Sequence, residues 1–220
     1  MKCTDYLLQA TDEIWKSYCR HPFVKGIRDG SLDREKFRYY IIQDYLYLID
    51  YARTFAIGVA KAKSAHTTNI FSGYISLLTG SEMSIHHGYM GKFAVSQQKV
   101  DNTPRALDNL SYTSYMLRVA YEEGEAEILA AILSCAYSYE FIAKDMVRNN
   151  PDCVNDPFYG EWIQGYISQK YSDGNLLLMD TLNRLTADYT QDQIQHLVDI
   201  FTACSRYEYM FWEMSWNMSV

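Results

Sequence analysis

The feature that most constrains this chain is the segment 125–145, EAEILAAILSCAYSYEFIAKD, in which apolar residues recur at alternating spacings of four and three. Such spacing places them on one face of an α-helix. They are Ile128, Ile132, Cys135, Tyr139 and Ile142. Acidic residues at its start and the Asn149-Asn150-Pro151 sequence beyond it favour the helix and then its end. We predict a core helix that buries the Cys135 thiol, although most buried cysteines only fill space.

Two further long segments carry the same pattern, each with a carboxylate on the apolar face. A helix predicted from about Arg34 to Ala65 has the inward positions Phe37, Ile41, Asp44, Leu48, Tyr51 and Phe55. A helix opened by the capping-box pattern Thr190 to Gln193 and ending near Asn217 has Ile194, Leu197, Phe201, Cys204, Glu208 and Phe211.

The remaining segments also predict helices, with turns between them. We expect helices over 5–19, 67–79, 81–95 and 175–185, a loop from His21 to Leu32, and an N-cap at Ser31 or Asp33. Gly80 is expected to break the helix over 67–79, and Ser81 to cap the next one. Thr103-Pro104 and Asn155-Asp156-Pro157 each predict a helix start, and Ser172-Asp173-Gly174 predicts a helix end. Because there is no sustained period-two alternation, internal repeat or Pro/Ser-rich linker, we predict one all-α bundle domain spanning 1–220.

Charge and cysteine usage exclude several classes of protein. The net charge of −7 without a basic cluster argues against nucleic acid as a partner. The five cysteines form no CxxC pair or disulfide framework, which indicates reduced thiols and a cytoplasmic protein. The acidic residues near the N-terminus do not fit a signal peptide, and the apolar run around Ile128 to Tyr139 is too short to span a membrane. The 20 tyrosines and nine phenylalanines suit either an aromatic core or an aromatic pocket.

Asp44, Cys135 and Glu208 have two interpretations. Each lies on the inward face of a separate helix, and a bundle can bring such residues into one pocket as a nucleophile, an acid and a base. A buried carboxylate is, however, often a hydrogen-bonded structural residue. From spacing alone, both interpretations stay open.

A carboxylate-bridged di-iron site is the alternative chemistry for a helical bundle. It requires several glutamates and paired Glu-x-x-His elements. Glu82, His86 and His87 supply one fragment, with Glu82 and His86 four residues apart instead of three. We therefore predict no metal site. We expect His86 and His87 to be exposed or interfacial, and His66 and His196 to lie at the surface.

Four segments together resemble the TenA family, also known as thiaminase II or aminopyrimidine aminohydrolase. They are HPFVKGIRDGSLDREKFRYYIIQDYLYL, SYTSYMLRVA, AEILAAILSCAYSYE and YEYMFWEM. Their order and spacing fit the family over nearly the whole chain. Ser134 precedes the cysteine where many relatives have proline, and the loop reads RDG where they have a GDG-like sequence, but neither change touches a reactive group.

The resemblance implies a heme-oxygenase-like helical fold without heme or other cofactor, a homotetramer, and a role in thiamin salvage. The expected substrate is 4-amino-5-aminomethyl-2-methylpyrimidine, hydrolysed to the 5-hydroxymethyl compound and ammonia, or thiamin, split into pyrimidine and thiazole. Cys135 would be the nucleophile, Glu208 the acid/base, and Asp44 the carboxylate that binds the ring. The expected pocket tyrosines are Tyr47, Tyr112, Tyr139 and Tyr166. A metal-dependent oxidase and a non-catalytic pyrimidine-binding protein remain alternatives on the same architecture.

Overall fold

Helices form all the regular secondary structure of residues 1–219, which a computed structural model describes apart from the side chains at 81 and 82. The prediction of an all-α fold is confirmed. The α-helices are α1 (Cys3–Arg20), α2 (Pro22–Arg28), α3 (Arg34–Lys61), α4 (Ala65–Leu77), α5 (Met83–Lys92), α6 (Gln97–Asp101), α7 (Leu107–Glu122), α8 (Glu125–Asn149), α9 (Gly160–Ile167), α10 (Gln169–Leu185) and α11 (Gln191–Asn217). A π-helical turn, Leu78–Glu82, precedes α5, and a 3₁₀ turn, Pro151–Asn155, follows α8.

The predicted core helix, α8, lies at the centre and packs against α1, α3, α7, α10 and α11. By length and composition α8 could cross a membrane, but 83% of its most apolar window is buried inside the protein. All the predicted inward positions of α3, α8 and α11 are buried, including both carboxylates. The alternating spacing of four and three therefore identified the buried faces correctly.

The N-termini of α3 and α11 follow local capping chemistry. The Asp33 carboxylate accepts a hydrogen bond from the Glu35 N–H at 2.8 Å, so Asp33 and not Ser31 is the N-cap of α3. At α11, Thr190 and Gln193 form the predicted reciprocal capping box.

The segment after His21 was wrongly predicted as a loop. It forms α2, because Pro22 occupies the first turn and the His21 Nδ1 accepts a hydrogen bond from the Phe23 N–H at 3.2 Å. The turn comes later, at Gly30, whose φ of +68° favours glycine.

Tertiary contacts moved several other helix ends. Thr103 and Pro104 do not start α7, which begins at Leu107, because the side-chain amide of Gln43 bonds the Pro104 carbonyl and the Ala106 N–H and holds this segment extended. The predicted start at 155–157 is displaced to Gly160.

Two glycines behave differently from prediction. Gly174 lies inside α10 instead of ending a helix, and a side chain there would come within 3.1 Å of the Tyr74 hydroxyl. It therefore permits close packing between helices. Gly80 does not break the helical backbone, because it lies within the π-helical turn that connects α4 to α5. The predicted cap by Ser81 lies outside the described side chains.

Candidate active site

The middle of α8 brings Cys135 among three of the predicted pocket tyrosines. Cys135 is only 6% exposed. Burial chiefly raises the pKa values of the Tyr47, Tyr112 and Tyr139 hydroxyls, and negative charge at Cys135 and Glu208 raises them further. The thiol, the Glu208 carboxylate and three phenolic hydroxyls therefore lie close enough to influence one another.

Glu208, on α11, is buried to 2% exposure. Its pKa is raised from 4.5 to about 8, chiefly because of burial and secondly because of the negative charge of Asp44. The Tyr112 and Tyr139 hydroxyls partly oppose this rise. Within the described residues the Glu208 Oε2 has no hydrogen-bond partner of good geometry. At neutral pH Glu208 is consequently largely protonated.

Asp44, on α3, is bound on one oxygen by two other buried side chains. The His86 Nε2 lies 2.7 Å from Asp44 Oδ2, and the Tyr40 hydroxyl donates to the same oxygen at 3.1 Å. Trp162 Nε1 in turn donates to the Tyr40 hydroxyl at 3.3 Å, and the Tyr139 hydroxyl lies 3.4 Å from it. This network joins Asp44 to the tyrosines around Cys135.

The prediction for His86 was wrong, since its side chain is fully buried. The π-helical turn before α5 directs this residue toward α3, an arrangement that helical spacing within a short segment does not reveal. His87, His66 and His196 are exposed, in agreement with the sequence analysis. Tyr40 and Trp162 were also missed, although Tyr40 is four residues before Asp44 on the same helix face.

Aromatic rings enclose the site. Tyr47 and Tyr112 are tilted against each other at a centroid distance of 5.1 Å, and Phe211 meets Tyr47 edge-on at 5.7 Å. On the other side, Tyr139 packs against Tyr166 at 4.8 Å. The Tyr112 hydroxyl is held by the Ser134 hydroxyl at 3.2 Å. The surroundings are therefore apolar and flat-walled, which suits a planar ring.

Tyr166 also borders a cavity of about 220 Å³ between α4, α5, α9 and α10. Its lining includes Tyr74, Ile85, Tyr171 and Lys170. Because the Tyr166 ring contacts Tyr139 and lines this space, it separates the cavity from the buried site.

No three His, Cys, Asp or Glu side chains among those described are grouped as metal ligands. Glu82, which with His86 and His87 was the candidate metal-binding fragment, lies outside the described side chains. The described groups instead combine a thiol, a buried proton donor and an anchored carboxylate, which together can support nucleophilic addition followed by protonation of a leaving group.

Comparison with known proteins gives consistent matches over the whole chain. The model of the TENA/THI-4/PQQC family matches residues 8–218. An aminopyrimidine aminohydrolase from Helicobacter pylori is 41% identical over 220 residues, which cover 99% of this chain and 100% of that protein. The structure of a TenA homologue from P. horikoshii superimposes with a TM-score of 0.88 at 29% identity, covering 99% of both chains. A domain from Shewanella denitrificans with a heme oxygenase-like fold, 12% identical, gives a TM-score of 0.67 over 99% of this chain and 93% of that one, a likeness of fold alone. The predicted heme-oxygenase-like architecture is confirmed.

Proposed function

The chain belongs to the TENA/THI-4/PQQC family, and we propose that it is an aminopyrimidine aminohydrolase of thiamin salvage. The observation that carries this proposal is the buried Glu208, with a pKa of about 8, beside the tyrosines that also surround the Cys135 thiol. A thiol nucleophile and a carboxylic acid that is protonated at neutral pH are the two groups that this hydrolysis needs.

The reaction begins with addition of the Cys135 sulfur to a carbon of the pyrimidine ring, while a ring nitrogen takes up a proton. The electrons of the disrupted ring then expel the amine from the 5-methylene group, and Glu208 gives its proton to that amine, which leaves as ammonia. Water adds to the exocyclic methylene and returns a proton to Glu208. The sulfur then departs and the ring nitrogen gives up its proton, which regenerates the thiol and restores the aromatic ring. The net change is substrate plus water to the 5-hydroxymethylpyrimidine plus ammonia. Cleavage of thiamin follows the same steps with the thiazole as the leaving group.

Asp44 binds the ring in this proposal. Its Oδ1 accepts hydrogen bonds from the exocyclic amino group and the protonated ring nitrogen, since the described side chains bond Oδ2. The walls are formed by the rings of Tyr47, Tyr112, Tyr139 and Tyr166. Tyr166 would move to admit substrate from the adjoining cavity of about 220 Å³.

The direct test is incubation with 4-amino-5-aminomethyl-2-methylpyrimidine, following ammonia and the hydroxymethyl product together. Cys135→Ser should abolish turnover but keep pyrimidine binding in calorimetry, because a hydroxyl fits the space of the thiol and is a far poorer nucleophile at neutral pH. Cys19→Ser, at a half-buried thiol near the end of α1, is the matched control and should retain activity.

Near-normal hydrolysis by Cys135→Ser would remove the nucleophile assignment. Binding without turnover in the unmodified protein would instead support a non-catalytic pyrimidine-binding protein. Metal-dependent turnover, with stoichiometric metal in the purified protein, would support an oxidase.

Residues 1–220 would act as a single domain in a cytoplasmic homotetramer, with no nucleic acid or membrane partner. Exposed apolar side chains support an assembly: Leu107 is 69% exposed, Tyr121 is 70% exposed and Leu176 is 56% exposed. Burial of such side chains between subunits would remove apolar surface from water.

A further inference from the structure

His86 is a buried titratable group beside the site that the proposed reaction does not use. Its side chain is completely buried, and its Nε2 lies 2.7 Å from the Asp44 Oδ2. An ionised carboxylate only accepts hydrogen bonds, so with Asp44 charged the proton between the two atoms belongs to Nε2. A histidine–carboxylate bond of this length is short and charge-assisted, the stronger kind of hydrogen bond.

The contact is made at one oxygen of the Asp44 carboxylate, and it therefore affects how the carboxyl group is oriented. His86 and Tyr40 approach from different helices, α5 and α3, and both bond Oδ2. Two donors on one oxygen fix the rotation of the carboxyl group about its Cβ–Cγ bond. Within the described residues the side-chain hydrogen bonds to Asp44 are made at Oδ2, which leaves the lone pairs of Oδ1 for a ligand.

Tyr40 alone would hold the carboxylate less firmly. Its hydroxyl also lies 3.4 Å from the Tyr139 hydroxyl, and its single proton can be donated to only one acceptor at a time. The His86 contact with Asp44 Oδ2 is the shorter of the two, at 2.7 Å against 3.1 Å, and the His86 ring is immobilised by complete burial. It is therefore the dominant restraint on the orientation of Asp44.

We propose that His86 is a positioning residue, which donates its Nε2–H to Asp44 Oδ2 and so turns Oδ1 toward the amino group and ring nitrogen of the aminopyrimidine. This inference rests on the proposed function. It gives α5, and the π-helical turn that leads into it, a part in substrate recognition without contact between His86 and the substrate.

The test compares side chains of similar size that do or do not place a hydrogen-bond donor as far from the backbone as the His86 Nε2. His86→Gln places an amide nitrogen near that distance, His86→Asn is one methylene too short, and His86→Leu has no donor. The control is His87→Gln at the neighbouring exposed position. For each protein, KM and kcat for 4-amino-5-aminomethyl-2-methylpyrimidine, the Kd of the hydroxymethyl product and the Tm are measured.

We expect His86→Leu and His86→Asn to raise KM and Kd about tenfold or more, with kcat changed much less, because in these variants Asp44 keeps its carboxylate and loses only a restraint on its orientation. His86→Gln should restore KM to within about threefold of the unmodified protein, since it regains a neutral hydrogen bond. In an Asp44→Asn background, His86→Leu should add little to the loss of binding.

Unchanged KM and Kd in both His86→Leu and His86→Asn would overturn the inference. Equal impairment of the Gln, Asn and Leu variants, tracking a lowered Tm, would also overturn it, because that pattern reflects packing alone. Should His86→Leu fail to fold, the Gln and Asn pair gives the same decision. Failure of the proposed function is distinct: the unmodified protein would then neither hydrolyse the aminopyrimidine nor bind its product.

Discussion

Replacing Glu208 with glutamine should slow the reaction and should make the protein more stable than the unmodified protein, by an amount that grows as the pH rises. The side chain is buried, and its pKa rises from 4.5 to about 8 because burial, and then the charge of Asp44, disfavour ionisation. In the unfolded chain the same carboxyl group ionises near its ordinary pKa. Above pH 4.5, the native state therefore retains a proton that the unfolded state releases.

The sign and size follow from this difference. A raised pKa gives a contribution to stability that is fully present below pH 4.5 and is lost as the pH rises toward about 8. The loss is about 1.4 kcal/mol for each pH unit in that interval, which makes about 5 kcal/mol in total, of which about 4 kcal/mol is lost by pH 8. Glu208→Gln lacks this titration. Relative to the unmodified protein it should gain almost nothing between pH 4 and 5 and about 4 kcal/mol by pH 8.

Urea unfolding between pH 5 and 9, at one fixed protein concentration, measures the difference between the two proteins. The fixed concentration is needed because subunit association would otherwise alter apparent stability. Glu13→Gln, at a side chain that is 78% exposed, is the control and should show no comparable dependence on pH. A Glu208→Gln difference that stays constant from pH 5 to 9 would refute the idea that this carboxyl group is held protonated. The same variant should bind the pyrimidine and turn over slowly, since an amide has no proton to give.

The other predictions concern binding, helix packing and assembly. Asp44→Asn should weaken pyrimidine binding as well as the rate, because an amide cannot replace a carboxylate opposite a protonated aminopyrimidine; calorimetry showing unchanged Kd would contradict this. Glu140→Ala should lower the free energy of unfolding by about 2 to 3 kcal/mol in urea titrations, since the buried carboxylate accepts hydrogen bonds from Ser172 and Asn175 and joins α8 to α10. Loss below about 0.5 kcal/mol would show that these bonds are replaced by water. Light scattering at micromolar concentration should give the mass of a homotetramer, and a monomer mass would argue against the proposed assembly.

Local periodicity determined which faces of the long helices are buried. The alternating spacing of four and three depends only on the geometry of the α-helix, so Asp44, Cys135 and Glu208 were identified as buried from neighbouring residues alone. The capping box at Thr190 is equally local, because both partners lie within one turn. The resemblance of four segments to a family then gave the architecture and a candidate reaction.

Packing between distant segments decided the rest. Gln43 delays the start of α7 through bonds to Pro104 and Ala106, more than 60 residues away in the chain. His86 lies 42 residues from Asp44, in a short segment whose pattern predicts no buried face, and only the docking of α5 on α3 brings the two together.

The raised pKa of Glu208 is likewise a property of the folded arrangement. The sequence places Glu208 on a buried face, but its protonation depends on the distance to Asp44 and on the apolar rings between the helices. Helical periodicity records which side of a helix faces inward and carries no information about which residue of another helix it meets. The chain's own pattern therefore determined the burial of these groups, and the tertiary structure alone decided their partners and their charges.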